Sequence, residues 1–104
     1  MKPWGWELWF AQTKHYVGKV IVIKKGHRLS LQFHRWKHET IYTDQGSWLL
    51  RIGSKTRRMK AGDFAVIPPR TVHRFCAPFG NVRLLEVSTP QVKDVVRLED
   101  DYGR

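Results

Sequence analysis

A single cysteine, Cys76, occurs among the 104 residues. That scarcity excludes an intramolecular disulfide and a thiolate zinc cage. With no adjacent base to activate it, the thiol reads as a small buried side chain and not a nucleophile. No run approaches the roughly 18 apolar residues needed to cross a membrane. Residues 1–10 carry scattered Trp and a Glu where a secretory leader would have a basic start and an apolar stretch. Linkers, repeats and low-complexity tracts are missing, and no window of helical length carries a 3.6-residue apolar stripe. One soluble, cytoplasmic domain over residues 1–104, with no membrane partner, is the expectation.

Acidic residues are also scarce. Nine Asp and Glu stand against nineteen Lys and Arg, a formal charge of +10. Such a balance raises affinity for phosphate in any setting, so it does not choose between nucleic acid, a membrane surface and a small phosphorylated substrate. The densest cluster is Arg51, Lys55, Arg57, Arg58 and Lys60 around a hairpin signal, and it reads as a solvated outer face. Direct nucleic-acid binding is not expected, because the aromatics alternate into the core instead of interleaving with a basic stripe.

What the chain does have is a period of two. Val17–Ile23 is rich in β-branched residues and apolar on both faces, so it should be buried on both sides. Leu29, Leu31 and Phe33 alternate with Arg28, Ser30, Gln32 and His34. Further short strands are expected at 41–43, 48–52, 56–59, 64–67, 73–76, 82–87 and 95–98, with Gly, Pro, Asn and Asp signals between them. Trp4, Trp6, Trp9 and Phe10 suit an edge strand. The fold class is therefore all-β, an antiparallel double-sheet (jelly-roll) barrel. The doubly apolar strand in so small a barrel points to a neighbouring subunit, hence a homodimer.

Two segments carry the chemistry. The first reads Gly26-x5-Gln32-x-His34-x4-Glu39-x6-Gly46, and the second Gly62-x5-Pro68-x4-His73. Gln32 and His34, two apart, leave the same face of a strand, Glu39 can return on the next, and His73 comes from a distant one. Two imidazoles, a carboxylate and a carboxamide fit a divalent metal. Two nitrogens and two oxygens suit Zn2+ best, while Fe2+, Mn2+, Co2+ and Ni2+ share such ligands. His15, His27 and His38 lack comparable spacing and read as surface residues.

These segments resemble the two signature motifs of the cupin superfamily, with Gln32 where most cupins have a first histidine. The Gln-x-His variant followed by Glu, together with Lys2-Pro3-Trp4-Gly5 and the ending Arg97-Leu98-Glu99-Asp100-Asp101-Tyr102-Gly103-Arg104, is similar to the C-terminal domain of type II mannose-6-phosphate isomerase/mannose-1-phosphate guanylyltransferases. The likeness runs from end to end of the chain. It lacks a nucleotidyltransferase half, so it reads as a stand-alone isomerase domain without guanylyltransferase activity. Against the family pattern, Lys37 stands at a basic position, Thr40 replaces a histidine after the Glu, and Arg70 stands where a glycine is expected.

The resemblance implies a metal-dependent aldose–ketose isomerase acting on a phosphorylated sugar, mannose 6-phosphate to fructose 6-phosphate. Gln32, His34, Glu39 and His73 would hold the metal, with Lys37 and Arg97 in catalytic and substrate-binding roles. Arg28 and Ser30, preceding Gln32 with the same parity, are expected to line the cavity. Arg28 would then hold phosphate through paired donors, and Lys37 would reach a substrate oxygen from a loop or stay solvated. Asp100 or Asp101 is a possible partner of Arg97, and Tyr102 with Arg104 would close over the site or cap the fold. Two other classes stay open: a non-catalytic cupin module of a sugar-nucleotide pathway that binds metal or sugar phosphate, favoured by Trp36 and Thr40, and an oxygen-dependent Fe2+ cupin enzyme.

Overall fold

The computed structural model describes residues 2–102. Ten strands follow in chain order: β1 Gly5–Gln12, β2 Val17–Ile23, β3 Leu31–Phe33, β4 Glu39–Gln45, β5 Ser47–Ile52, β6 Lys55–Lys60, β7 Phe64–Ile67, β8 His73–Cys76, β9 Val82–Ser88 and β10 Val96–Glu99. They pair antiparallel into two five-stranded sheets, ordered β1-β2-β9-β4-β7 and β10-β3-β8-β5-β6. The sheets stack face to face as a jelly roll, as the period-two pattern implies. Among the described residues no helix is long and apolar enough to cross a membrane.

The core lies where inward parities of the sheets meet: Ile23, Ile41 and Leu84 from the first, Trp48, Leu50, Met59 and Phe75 from the second. Trp48 packs edge-on to Phe75 at 5.3 Å between centroids, and its indole N–H donates to the buried Thr43 Oγ1 at 2.8 Å, so the polar tip of the largest core residue is satisfied. The β4–β5 turn needs Gly46, at φ 94°, because a Cβ there would come within 2.6 Å of the Asn81 carbonyl oxygen.

One expectation is corrected. β2 is not buried on both faces: Val17, Lys19, Ile21 and Ile23 face inward, while Val20 and Val22 are only half-buried. The outward side carries a cross-strand row running Leu8, Val20, Leu85, Tyr42, Phe64 over all five strands. At the inner end of the same sheet, the register aligns Trp9, Lys19, Glu86, Ile41 and Ala65, placing two charged side chains directly against the core.

Candidate metal centre

Three of the four expected ligands converge. His34, just beyond β3, Glu39 at the start of β4 and His73 at the start of β8 are all buried, and their ligand atoms lie within 4.8 Å of one another. Glu39 belongs to one sheet and His73 to the other, so the cluster pins the two layers together. His73 Nε2 stands 3.4 Å from Glu39 Oε1, and His34 Nε2 stands 3.9 Å from Glu39 Oε2. Ligand atoms bound at about 2.1 Å to one tetrahedral ion lie about 3.4 Å apart, so these separations suit a shared cation.

The tautomers agree. His73 Nδ1 donates to the Thr71 carbonyl at 2.8 Å, and His34 Nδ1 donates to the Asp94 carbonyl. A carbonyl can only accept, so the hydrogen sits on Nδ1 and each Nε2 presents a lone pair. Both Nε2 atoms are buried without a hydrogen-bond partner, the arrangement in which a backbone carbonyl orients a metal-binding imidazole. Burial lowers the His34 pKa, with Lys37 and His73 adding to the effect, which keeps the ring neutral. These donors fit a divalent cation. Gln32 is the cross-strand neighbour of His73, and its Oε1 accepts from Ser30 Oγ at 2.7 Å, leaving a second lone pair free.

The connection between His34 and Glu39 is held from the opposite end of the chain. The Asp94 carboxylate accepts from three successive amides, those of Arg35 (3.1 Å), Trp36 (2.6 Å) and Lys37 (3.0 Å). Partial loss of solvent would raise its pKa, but the three donors outweigh that and hold it below the ordinary aspartate range. Arg70 stands at φ 62°, left-handed backbone of the kind a glycine accepts freely, and its amide donates to the His34 carbonyl. The arginine that replaces the expected glycine therefore keeps the glycine's conformation and ties the two motifs together.

Lys37 is not solvated. It is buried with its Nζ 3.1 Å from Glu39 Oε2 and 3.0 Å from Glu86 Oε2, and Lys19 approaches Glu86 Oε2 at 3.8 Å. Alternating charges thus run from Lys19 through Glu86 and Lys37 to Glu39. Burial would raise the Glu39 carboxyl, but the close His73 ring and the Lys37 ammonium outweigh it and hold the group at about 2. Burial pushes Glu86 upward, helped by the charge of Glu39 and opposed by Lys37 and Lys19. Burial likewise opposes the Lys37 charge, yet the two carboxylates raise its pKa, so it stays protonated.

A cavity between the sheets is lined by Ser30, Gln32, His34, Lys37, Glu86 and Arg97, among others. Arg97 on β10 pairs in register with Gln32, beside the strand that leads to His34. Arg28 does not line the cavity. Residues 28–30 lie outside β3, so strand parity does not carry through them, and Arg28 turns outward to Asp101 in a paired contact at 2.7 and 3.0 Å. Asp101 is thereby the partner of Arg28, not of Arg97. Tyr102 accepts or donates at 2.7 Å with His27 Nδ1 and packs on the core, capping the fold, while Arg104 lies outside the described residues. His15 and His38 are exposed, and burial raises the Cys76 thiol pKa, in keeping with an inert side chain. Sequence reasoning missed Glu86, Lys19 and Asp94. The first two were visible in principle as charges at inward parity on apolar strands, whereas nothing local marks Asp94.

Replacing Asp94 with alanine removes the acceptor for three amides while leaving every ligand in place. Metal affinity should fall by about 10-fold or more, read by competition with a chromophoric chelator; wild-type affinity in that variant would show that the loop needs no such support.

The cupin domain family matches residues 19–88. The alginate biosynthesis protein AlgA of Pseudomonas aeruginosa is 32% identical over 108 aligned positions, covering 99% of this chain and 22% of that protein. The mannose-1-phosphate guanylyltransferase RfbM of Salmonella typhimurium is 26% identical over 98% of this chain and 22% of its own length. The chain therefore spans about a fifth of the length of these relatives. Among solved structures, a conserved protein with a double-stranded β-helix domain from Klebsiella pneumoniae superposes with a TM-score of 0.84 at 19% identity, covering 96% of this chain and 89% of that one. With the motif residues gathered at one buried point inside a jelly roll, the chain belongs to the cupin family.

Proposed function

We propose that this cupin domain is a metal-dependent sugar-phosphate isomerase that interconverts mannose 6-phosphate and fructose 6-phosphate. The observation that carries the reading is the buried His34–Glu39–His73 cluster, whose His34 lines a cavity with four cationic and two acidic lining residues. Alignment of nearly all of this chain to about a fifth of proteins named for mannose-1-phosphate and alginate chemistry supports a mannose phosphate as substrate. His34, Glu39, His73 and Gln32 would hold a divalent ion, with Zn2+ the best match to the donors. Bound there, the ion supplies Lewis acidity toward the substrate's oxygens.

The chain's own residues do the rest. Moving a proton between C1 and C2 places negative charge on the sugar oxygens. Lys37, kept charged between two carboxylates, offers an N–H donor to that charge. Glu86 is the buried carboxylate lining the cavity outside the ligand cluster, and we assign it to carry the proton. Arg97 fixes the sugar beside Gln32, and Ser30 orients the Gln32 carboxamide. Two departures from the family pattern fall away from this machinery. Thr40 sits on the outward side of β4, registered with Val66 and Val87. Trp36 is 62% exposed, beneath the Arg70 guanidinium at 5.5 Å.

The protein loaded with Zn2+, Mn2+ or Co2+ should form fructose 6-phosphate from mannose 6-phosphate in a coupled assay, and His73→Ala should lose about 100-fold or more of that rate. Metal retained with no turnover in any loaded form would replace the enzyme by a binding module. We further propose a homodimer through the outward row of the first sheet, where Leu8, Tyr42 and Phe64 are 57%, 42% and 65% exposed. A two-fold axis would set this row against its own copy, covering the half-buried Val20 and Val22. Light scattering should give twice the chain mass, reduced to the chain mass by Phe64→Lys; a monomeric wild type would refute the dimer.

A further inference from the structure

We infer that the same cavity holds a second subsite, built on Lys19 at the end away from the metal cluster, that takes the phosphate group of the substrate. The inference rests on the isomerase reading for the sugar attached to that phosphate, but the anion site stands on its own observations. Lys19 projects from the inner face of β2 between Trp9 and Glu86 and is only 9% exposed. Its Nζ lies 4.3 Å over the Trp9 ring. The one carboxylate near it is Glu86, at 3.8 Å, beyond hydrogen-bond reach, and the same oxygen is held more closely by Lys37 at 3.0 Å. Among the described residues no acceptor bonds to the ammonium, so this largely buried lysine has only a shared, distant counter-charge.

Neighbouring groups repeat the shortage of acceptors. Trp4 lines the cavity, although its indole N–H is itself occluded. Arg97, exposed on β10, lines it too, and Asp101, its expected partner, is committed to Arg28. Glu7, the acidic side chain at this end, is engaged by the Trp9 indole N–H at 3.0 Å. The Lys19 ammonium without a bonded acceptor, facing a cavity also lined by Lys2, Lys37 and Arg97, calls for an occupant with several acceptor oxygens and negative charge. A phosphate monoester meets that description, and a neutral sugar does not. With phosphate at Lys19 and the ligand cluster at the other end, the substrate's reacting carbons are turned toward His34 and His73.

Isothermal titration of the protein with its metal bound tests this with inorganic phosphate, mannose 6-phosphate and mannose. Wild type should bind both phosphate compounds and discriminate against mannose. Lys19→Met should weaken phosphate binding by about 10- to 100-fold, Lys19→Arg should restore most of it, and Arg58→Gln, in the exposed basic hairpin, should leave it unchanged. In the unmutated protein the Trp9 ring resonances, beneath the Lys19 ammonium, should shift on phosphate addition, a readout independent of how the variants fold. Undiminished binding in Lys19→Met, loss in Arg58→Gln instead, equal binding of mannose, or unmoved Trp9 resonances would each overturn the assignment. Phosphate binding that depends on Lys19, in a protein without turnover, would overturn the isomerase reading and leave this one standing.

Discussion

Glu39 sits at the point where the two sheets close on each other, with imidazoles on one side and the Lys37 ammonium on the other. A buried carboxylate is costly unless paired, and here the pairing draws in nearly every polar element of the interior. The Lys37 charge requires Glu86, and Glu86 in turn faces Lys19. The imidazoles require the Thr71 and Asp94 carbonyls to set their tautomers, and the Asp94 side chain fixes the amides between His34 and Glu39. Removing one member strands another as an unpaired buried charge or a misdirected ring. The apolar core beside it, from Trp48 to Leu84, supplies the general drive for stacking the sheets; the polar chain decides what the interior does.

That division explains the two surfaces of the first sheet. Along one cross-strand row the inner side reads Trp9, Lys19, Glu86, Ile41, and along the adjacent row the outer side reads Leu8, Val20, Leu85, Tyr42. Charge faces inward and apolar groups face outward, the reverse of the usual arrangement for a sheet half exposed to water. The proposed ion and anionic substrate would account for the first inversion, and the proposed second copy of the chain for the other. Four basic residues, Lys55, Arg57, Arg58 and Lys60, lie elsewhere, on β6, where their side chains are exposed.

Much of this was legible in the chain because its information is local and periodic. Strict alternation gave the strands, and the spacing of Gln32, His34, Glu39 and His73 gave the cluster, since parity fixes which side chains share a face. Parity failed at Arg28 because the alternation was extended past the start of β3, where the backbone leaves the strand and the side chain turns to Asp101. Lys19 and Glu86 obey the same alternation as their apolar neighbours, but an apolar-run reading of 17–23 and 82–87 treats a lone charge as noise. Asp94 carried no signal at all. Its role arises from a contact nearly sixty residues distant in sequence, set by where β10 docks on β3, and long-range docking of this kind leaves no local periodicity to read.

The central claim is that His34, Glu39 and His73 bind one divalent cation. Elemental analysis of purified protein, with circular dichroism to confirm folding, tests it most directly. The account predicts a single tightly held divalent ion per chain, lost when His34 and His73 are both replaced by alanine while the β-sheet spectrum persists. An ion-free wild type that stays empty after incubation with Zn2+, Mn2+ or Co2+, or a double variant that keeps its ion, would contradict it.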